Sequence, residues 1–262
     1  MREVPSTTDE RSPLSFVVLV FALSVPLWLL GWKYRVEILP GLPLSAIMVV
    51  APVAAALMLV ARQSGRAAVL AHLAKSFDAR RIAPRYWYLP IILLQPAIAV
   101  ASYGLMRALQ VPLPSPQLSL TAAILLFALF FVTALCEESG WSGYLIDPLQ
   151  ERFGALRASL ILGTIWAVWH LLPLLQVGRA WDWIGWWTLA TVAARVLQTW
   201  VYNNTSKSVF GATLFHAMSN VSWQLFPNRG SHYDPHITGV LLAISAVFVV
   251  ARWGPRTLTS RK

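Results

Sequence analysis

The chain has 262 residues, of which 57% are hydrophobic and only 12% charged, with a mean hydropathy of +0.59 and a formal net charge of +10. A soluble domain carries about 25% charged residues. The composition therefore excludes an ordinary water-soluble domain, and the single cysteine, Cys136, excludes an internal disulfide or a multi-cysteine metal site. The basic excess is no nucleic-acid footprint, because the Lys and Arg residues lie between apolar blocks, where topology signals lie.

Those apolar blocks are close to twenty residues long, the length that crosses a bilayer as a helix. They predict an all-α, polytopic membrane bundle of about eight transmembrane helices, a single domain over residues 1–262 with no internal repeat. The predicted spans are Leu14–Trp32, Leu42–Ala61, Tyr86–Leu109, Leu118–Cys136, Leu156–Leu175, Trp183–Tyr202, Ser206–Leu225 and Ile237–Ala251. The first is longer than a signal-peptide core and many spans follow it, so it reads as a retained helix. The fourth span has the composition to run on past the bilayer to Leu149. The segment Phe77–Trp87 is basic and aromatic, which suits either a topology-setting loop or a strip lying on an anionic leaflet.

Orientation follows from the cations. With both termini cytoplasmic and eight spans, fifteen of the 21 Lys and Arg residues fall on the cytoplasmic side. The expected location is integral to a membrane, namely the plasma (inner) membrane. In that topology Glu137 and Glu138 stand near the cytoplasmic end of the fourth span, and the polar cavity opens to the cytoplasmic half of the bilayer.

Few ionisable side chains lie within the spans: Glu137, Glu138, His170, Arg195 and His216. A charge inside a membrane helix costs roughly 2.5–3.5 kcal/mol on insertion scales, and such residues usually face the bundle interior and carry function. Asn220 follows His216 by four residues, so the two share one helix face. A lone intramembrane histidine is more often a hydrogen-bonded core residue than a catalyst. What favours chemistry is convergence, since a carboxylate pair, two histidines and an asparagine fall on neighbouring helices. A carboxylate can act as general base on water, and His and Asn can stabilise a tetrahedral oxyanion. Glu and His can also ligate a metal, although no HExxH occurs.

Three segments in order, CEESGWSGYL, IWAVWHLLPLL and SVFGATLFHAMSNVSW, resemble the motifs of the CPBP intramembrane proteases, the family of the CAAX prenyl endopeptidases and the bacterial abortive-infection-type membrane proteins. The resemblance covers a motif core of residues 118–223. It implies an intramembrane endopeptidase, a hydrolase of the metalloprotease-like, glutamate-dependent kind, that cuts a membrane-associated protein or peptide among membrane lipids. It implies Glu137 as the base that activates water, Glu138 as a supporting carboxylate, His170 as partner on the water, and His216 with Asn220 at the oxyanion. In the metal view, Glu137, His170 and His216 would hold zinc, which enters only by resemblance; a metal-free glutamate–water mechanism stays open.

The sequence departs from the family's EExxxR, because Ser142 stands where the Arg would be. Arg195, near the depth of the Glu pair, is the candidate to neutralise Glu138 in its place; the alternative is that it snorkels to the interface. Other readings compete. The chain could be a catalytically inactive or non-proteolytic membrane protein, such as a bacteriocin-immunity factor or a transporter-like protein. Gly140-Trp141-Ser142-Gly143 resembles the nucleophile segment of rhomboid serine proteases, with a Ser142–His dyad in prospect. His232 and His236 flank Asp234 in a pattern able to bind metal, although loop histidines are usually just solvated. Trp166, Trp169, Trp186, Trp187 and Trp223 read as packing residues or as the lining of a substrate groove.

Overall fold

A computed structural model describes residues 12–259 and shows a bundle of helices with one minimal hairpin. Helix α1 spans Pro13–Tyr34, capped by the Ser12 hydroxyl and carrying Pro at its first position. The hairpin strands β1 (Glu37–Leu39) and β2 (Leu42–Pro43) lead through a 3-10 turn, Leu44–Val49, into α2, Val50–Lys75. There follow α3 (Tyr88–Ala108), α4 (Leu120–Gly140), α5 (Ile146–Phe153), α6 (Ala155–Trp169), α7 (Leu171–Gln176), α8 (Trp181–Asn204), α9 (Val209–Leu225) and α10 (Pro235–Trp253).

Six of these stretches are long and apolar enough to cross a bilayer: Pro13–Tyr34, Leu44–Lys75, Arg85–Ala108, Leu120–Phe153, Ala155–Gln176 and Pro235–Trp253. The other two predicted spans correspond to α8 and α9. They dilute their hydropathy with Thr191, Arg195, Gln198 and Thr199, and with His216, Ser219, Asn220 and Ser222. In their middle parts those polar groups turn inward, with Arg195 and His216 almost wholly buried. Leu14, Leu120, Ile124, Leu125, Val247 and Phe248 are exposed instead, a lipid-facing surface that needs no water.

Two apolar cores flank the middle of the bundle. One joins α1, α2 and α6 around Phe16, Trp28, Trp141, Tyr144 and Trp169. The other joins α3, α8, α9 and α10 around Trp87, Ile91, Trp200, Phe215 and Leu242. Close helix approaches use glycine, as membrane packing favours. A Cβ on Gly140 would lie 2.6 Å from the Pro52 carbonyl oxygen on α2, and one on Gly163 would lie 2.9 Å from the Val192 Cα on α8.

Helix α4 runs on past the Glu pair, as the composition of the fourth span allowed. A π turn, Trp141–Leu145, carries it into α5, so Leu120–Phe153 is one 34-residue run with the pair near its midpoint. The turn holds because Trp141, Tyr144 and Leu145 are fully buried in the first core. Pro148 is accommodated in the first turn of α5, where its missing N–H costs little.

The segment Phe77–Trp87 is two short 3-10 turns, Ala79–Arg81 and Arg85–Trp87. Ile82 and Trp87 are buried, Trp87 edge-on against Trp200, while Phe77 and Tyr86 are exposed. The topology signals Arg261 and Lys262 lie outside the described residues.

Candidate active site

Glu138 is fully buried and saturated with donors. Arg195 reaches it with both terminal nitrogens, at 3.0 and 3.1 Å. The His216 ring donates from Nδ1 to Oε1 at 3.0 Å, and the Ser142 hydroxyl donates to Oε2. Arg195 therefore faces inward rather than snorkelling, and a bidentate guanidinium–carboxylate pair sits where the EExxxR pattern would supply its own Arg. Ser142 is spent on this carboxylate and makes no hydrogen bond to a histidine, so the Ser–His dyad is not formed.

Glu137 is held more sparingly. The indole N–H of Trp166 donates to its Oε2 at 2.6 Å. Trp166, expected as packing or groove lining, is the hub of the site. Its ring meets those of His170 and His216 edge-on at 4.9 and 5.2 Å, and the Arg195 guanidinium lies over it at 5.2 Å. The spacing held a signal, because Trp166 precedes His170 by one helical turn and shares its face.

His170 closes α6, and its Nδ1 donates to the Trp166 carbonyl at 2.9 Å. Since that carbonyl can only accept, the neutral ring keeps its lone pair at Nε2. His216 is placed likewise, with Nδ1–H committed to Glu138. Among the described residues neither imidazole hydrogen-bonds Glu137 directly; Trp166 bonds the carboxylate and packs against both rings.

Glu137, Trp166, His170, His216 and Asn220 all line one cavity of about 410 Å³, together with Gln95, Gln198 and Ser219. The five residues singled out from the sequence thus converge, four of them on the cavity wall and Glu138 directly behind it. The cavity walls climb from Glu137 toward Gly41–Pro43, Arg179, Trp183, Pro227 and His232, the end of the bundle opposite the basic segment after α2. Trp141, Tyr144, Leu197 and Val201 are packed on the other side.

Among the described residues no three His, Cys, Asp or Glu side chains come together to hold a metal ion. In the set Glu137, His170 and His216 each histidine has Nδ1 engaged, on the Trp166 carbonyl and on Glu138, the usual anchoring of an imidazole whose Nε2 serves as a ligand. At the start of α10, His236 bonds Asp234 at 2.9 Å and Asp182 at 3.0 Å, while His232 in the preceding loop bonds Ser231. Asp234 caps α10. These are structural contacts.

Comparison with known proteins converges on the same segment. Residues 119–222 match the sequence model of a family described as type II CAAX prenyl endopeptidase Rce1-like. The chain is 30% identical over 133 residues to CAAX prenyl protease 2 of Methanococcus maripaludis, a match that covers 47% of this chain and 48% of that protein. The chain thus spans about half the length of the curated relative it matches.

Proposed function

We propose that the chain, whose motif core matches the family of the CAAX prenyl proteases, is an intramembrane endopeptidase of the CPBP family driven by a glutamate-activated water. The observation that carries the reading is the division of labour within the pair. Glu138 is neutralised by Arg195 and bonded by His216 and Ser142, whereas Glu137 fronts the cavity with one donor on one oxygen.

Glu137 takes a proton from water as the hydroxide oxygen attacks the peptide carbonyl carbon. The carbonyl electrons move to oxygen and form a tetrahedral oxyanion. The Asn220 amide is a donor within the cavity for that charge. His216 can serve only with both ring protons, because its Nδ1–H is committed to Glu138; Glu138 is then its counter-ion, in the manner of a catalytic Asp behind a histidine. His170, through its Nε2 lone pair, orients the water. When the C–N bond breaks, Glu137 returns its proton to the departing amine.

The apolar cavity wall suits a substrate held in the membrane, such as a transmembrane or lipid-bearing peptide. The test is cleavage of a membrane-peptide library by purified protein in lipid. Wild type should cut and Glu137→Gln should not. A variant that cuts as well as wild type removes the glutamate mechanism, and a wild type that never cuts favours the non-proteolytic reading.

A further inference from the structure

We infer that Gln95 on α3 and Gln198 on α8 form a subsite for the main chain of the substrate, one amide donating to a peptide carbonyl and the other accepting from a peptide N–H. That the ligand is a peptide rests on the hydrolase reading; the site itself rests on separate observations.

The need comes from the medium. A peptide in lipid keeps its backbone N–H and C=O groups bonded within a helix, because leaving them unpaired there is costly. Water can reach a carbonyl carbon only where that helix has opened, and opening it frees donors and acceptors on both sides of the bond to be cut. His216 and Asn220 provide for the attacked carbonyl alone. A cavity walled by Ile98, Leu129, Phe130, Phe215 and Leu242 must supply a further donor and a further acceptor.

Several hydroxyls on the wall are already engaged. Thr133 donates to the Phe130 carbonyl, Ser222 to the Met218 carbonyl, and Ser102 and Thr238 bond each other at 3.3 Å. Gln95 is not engaged. It lines the cavity at 5% exposure, and its Nε2 is buried with no hydrogen-bond partner among the described residues. An unpaired buried amide destabilises the free protein. Its place on an otherwise apolar face of α3, between Ile91 and Ile98, is explained by a ligand that brings an acceptor.

Gln198 supplies the complement. It lines the same cavity at 4% exposure, and its Nε2 donates to the Ala212 carbonyl on α9 at 3.0 Å. A carbonyl only accepts, so this bond fixes which end of the amide is which and leaves Oε1 as an acceptor. The bond also places the residue. Ala212 precedes His216 by one helical turn, and Gln198 follows Arg195, the partner of Glu138, by three residues. Along the wall Gln198 is the last residue from α8 and Gln95 the first from α3. Trp87, just before α3, packs edge-on against Trp200 near the end of α8. From that contact the helical rise puts Gln198 about 3 Å and Gln95 about 12 Å into the bundle. The difference, about 9 Å, is roughly three residues of extended chain. The two amides thus set the register of an opened peptide over Glu137.

The test uses full-length protein in lipid, the membrane-peptide library, and copies of its members in which one main-chain amide is an ester. An ester has no N–H and is the weaker acceptor. Gln95→Met and Gln198→Met keep the side-chain length and delete the amide. Each should lower kcat/KM about tenfold, the usual strength of one hydrogen bond. Gln95→Met should do so at an unchanged melting temperature, since the free protein loses no bond. One ester position should slow wild type as much as Gln95→Met does and slow that variant no further; a second position, about three residues away, should behave so with Gln198→Met. Wild-type cleavage that both substitutions leave unchanged, or esters equally costly in wild type and both variants, overturns the subsite and leaves the hydrolase standing. If wild type cuts nothing, binding of the same peptides is read by fluorescence. Ester-sensitive binding that becomes insensitive in Gln95→Met keeps the subsite and sinks the hydrolase reading alone, whereas no binding sinks both.

Discussion

The guanidinium of Arg195 on α8 grips the carboxylate of Glu138 on α4 with both terminal nitrogens, across 57 residues of sequence. Both groups are sealed from solvent, at 1% and 0% exposure. The pair also ties together the two apolar cores, since α4 leads into one and α8 belongs to the other. Taking one partner away leaves an uncompensated buried charge, which typically costs about 3–5 kcal/mol. Arg195→Met should therefore lower the unfolding temperature in detergent sharply, and Glu138→Gln combined with Arg195→Met should recover much of the loss. If the double variant is as unstable as the single one, the charge pairing is not what matters at this site.

Ser142 touches the same carboxylate from one turn along the helix. A long cation at position 142 should thus reach Glu138 once Arg195 has been removed. Ser142→Arg is expected to raise the thermal stability and cleavage of an Arg195→Ala background, while adding nothing to wild type, where the space is filled. No recovery would show that the two positions are not equivalent sources of the charge.

Glu137 is asked to move a proton, and Glu138 to hold the frame. General base catalysis contributes about 10²–10⁴-fold. Glu137→Gln should cost at least two orders of magnitude in cleavage with an almost unchanged melting curve, because the amide oxygen can still accept from Trp166. Equal losses of stability and activity would point to a structural carboxylate instead.

Trp166 donates a hydrogen bond to Glu137 and packs both imidazoles. Trp166→Phe keeps an aromatic ring and deletes the donor. A hydrogen bond to a charged group is worth about 1.5–3 kcal/mol, so kcat should fall roughly 10–100-fold while the protein stays folded. Unchanged turnover would make the contact incidental.

Among the described residues no three His, Cys, Asp or Glu side chains come together around the pair. Purified protein should carry zinc well below one ion per chain and keep its cleavage in the presence of a chelator. One tightly held zinc per chain, lost together with activity, would require the side chains to rearrange around it.

Hydropathy made the helical bundle legible, because burying backbone amides in lipid leaves a chain few options beyond the helix. A period of four placed His216 and Asn220 on one face, and rare intramembrane charges marked the depth at which chemistry could occur. Those are local properties, written in spacing and composition. Composition let the fourth helix run on past the pair, but local rules could not show that it does so through a π turn, since that depends on Trp141 and Tyr144 finding a core to enter. Nor could they show which of two carboxylates would be quenched by an arginine 57 residues away, or that an ordinary-looking Trp166 would touch Glu137, both histidines and Arg195. The direction of the cavity is of the same kind. It depends on which parts of the helices pack solid and which splay apart, and side chains distant in the chain decide that only when they meet.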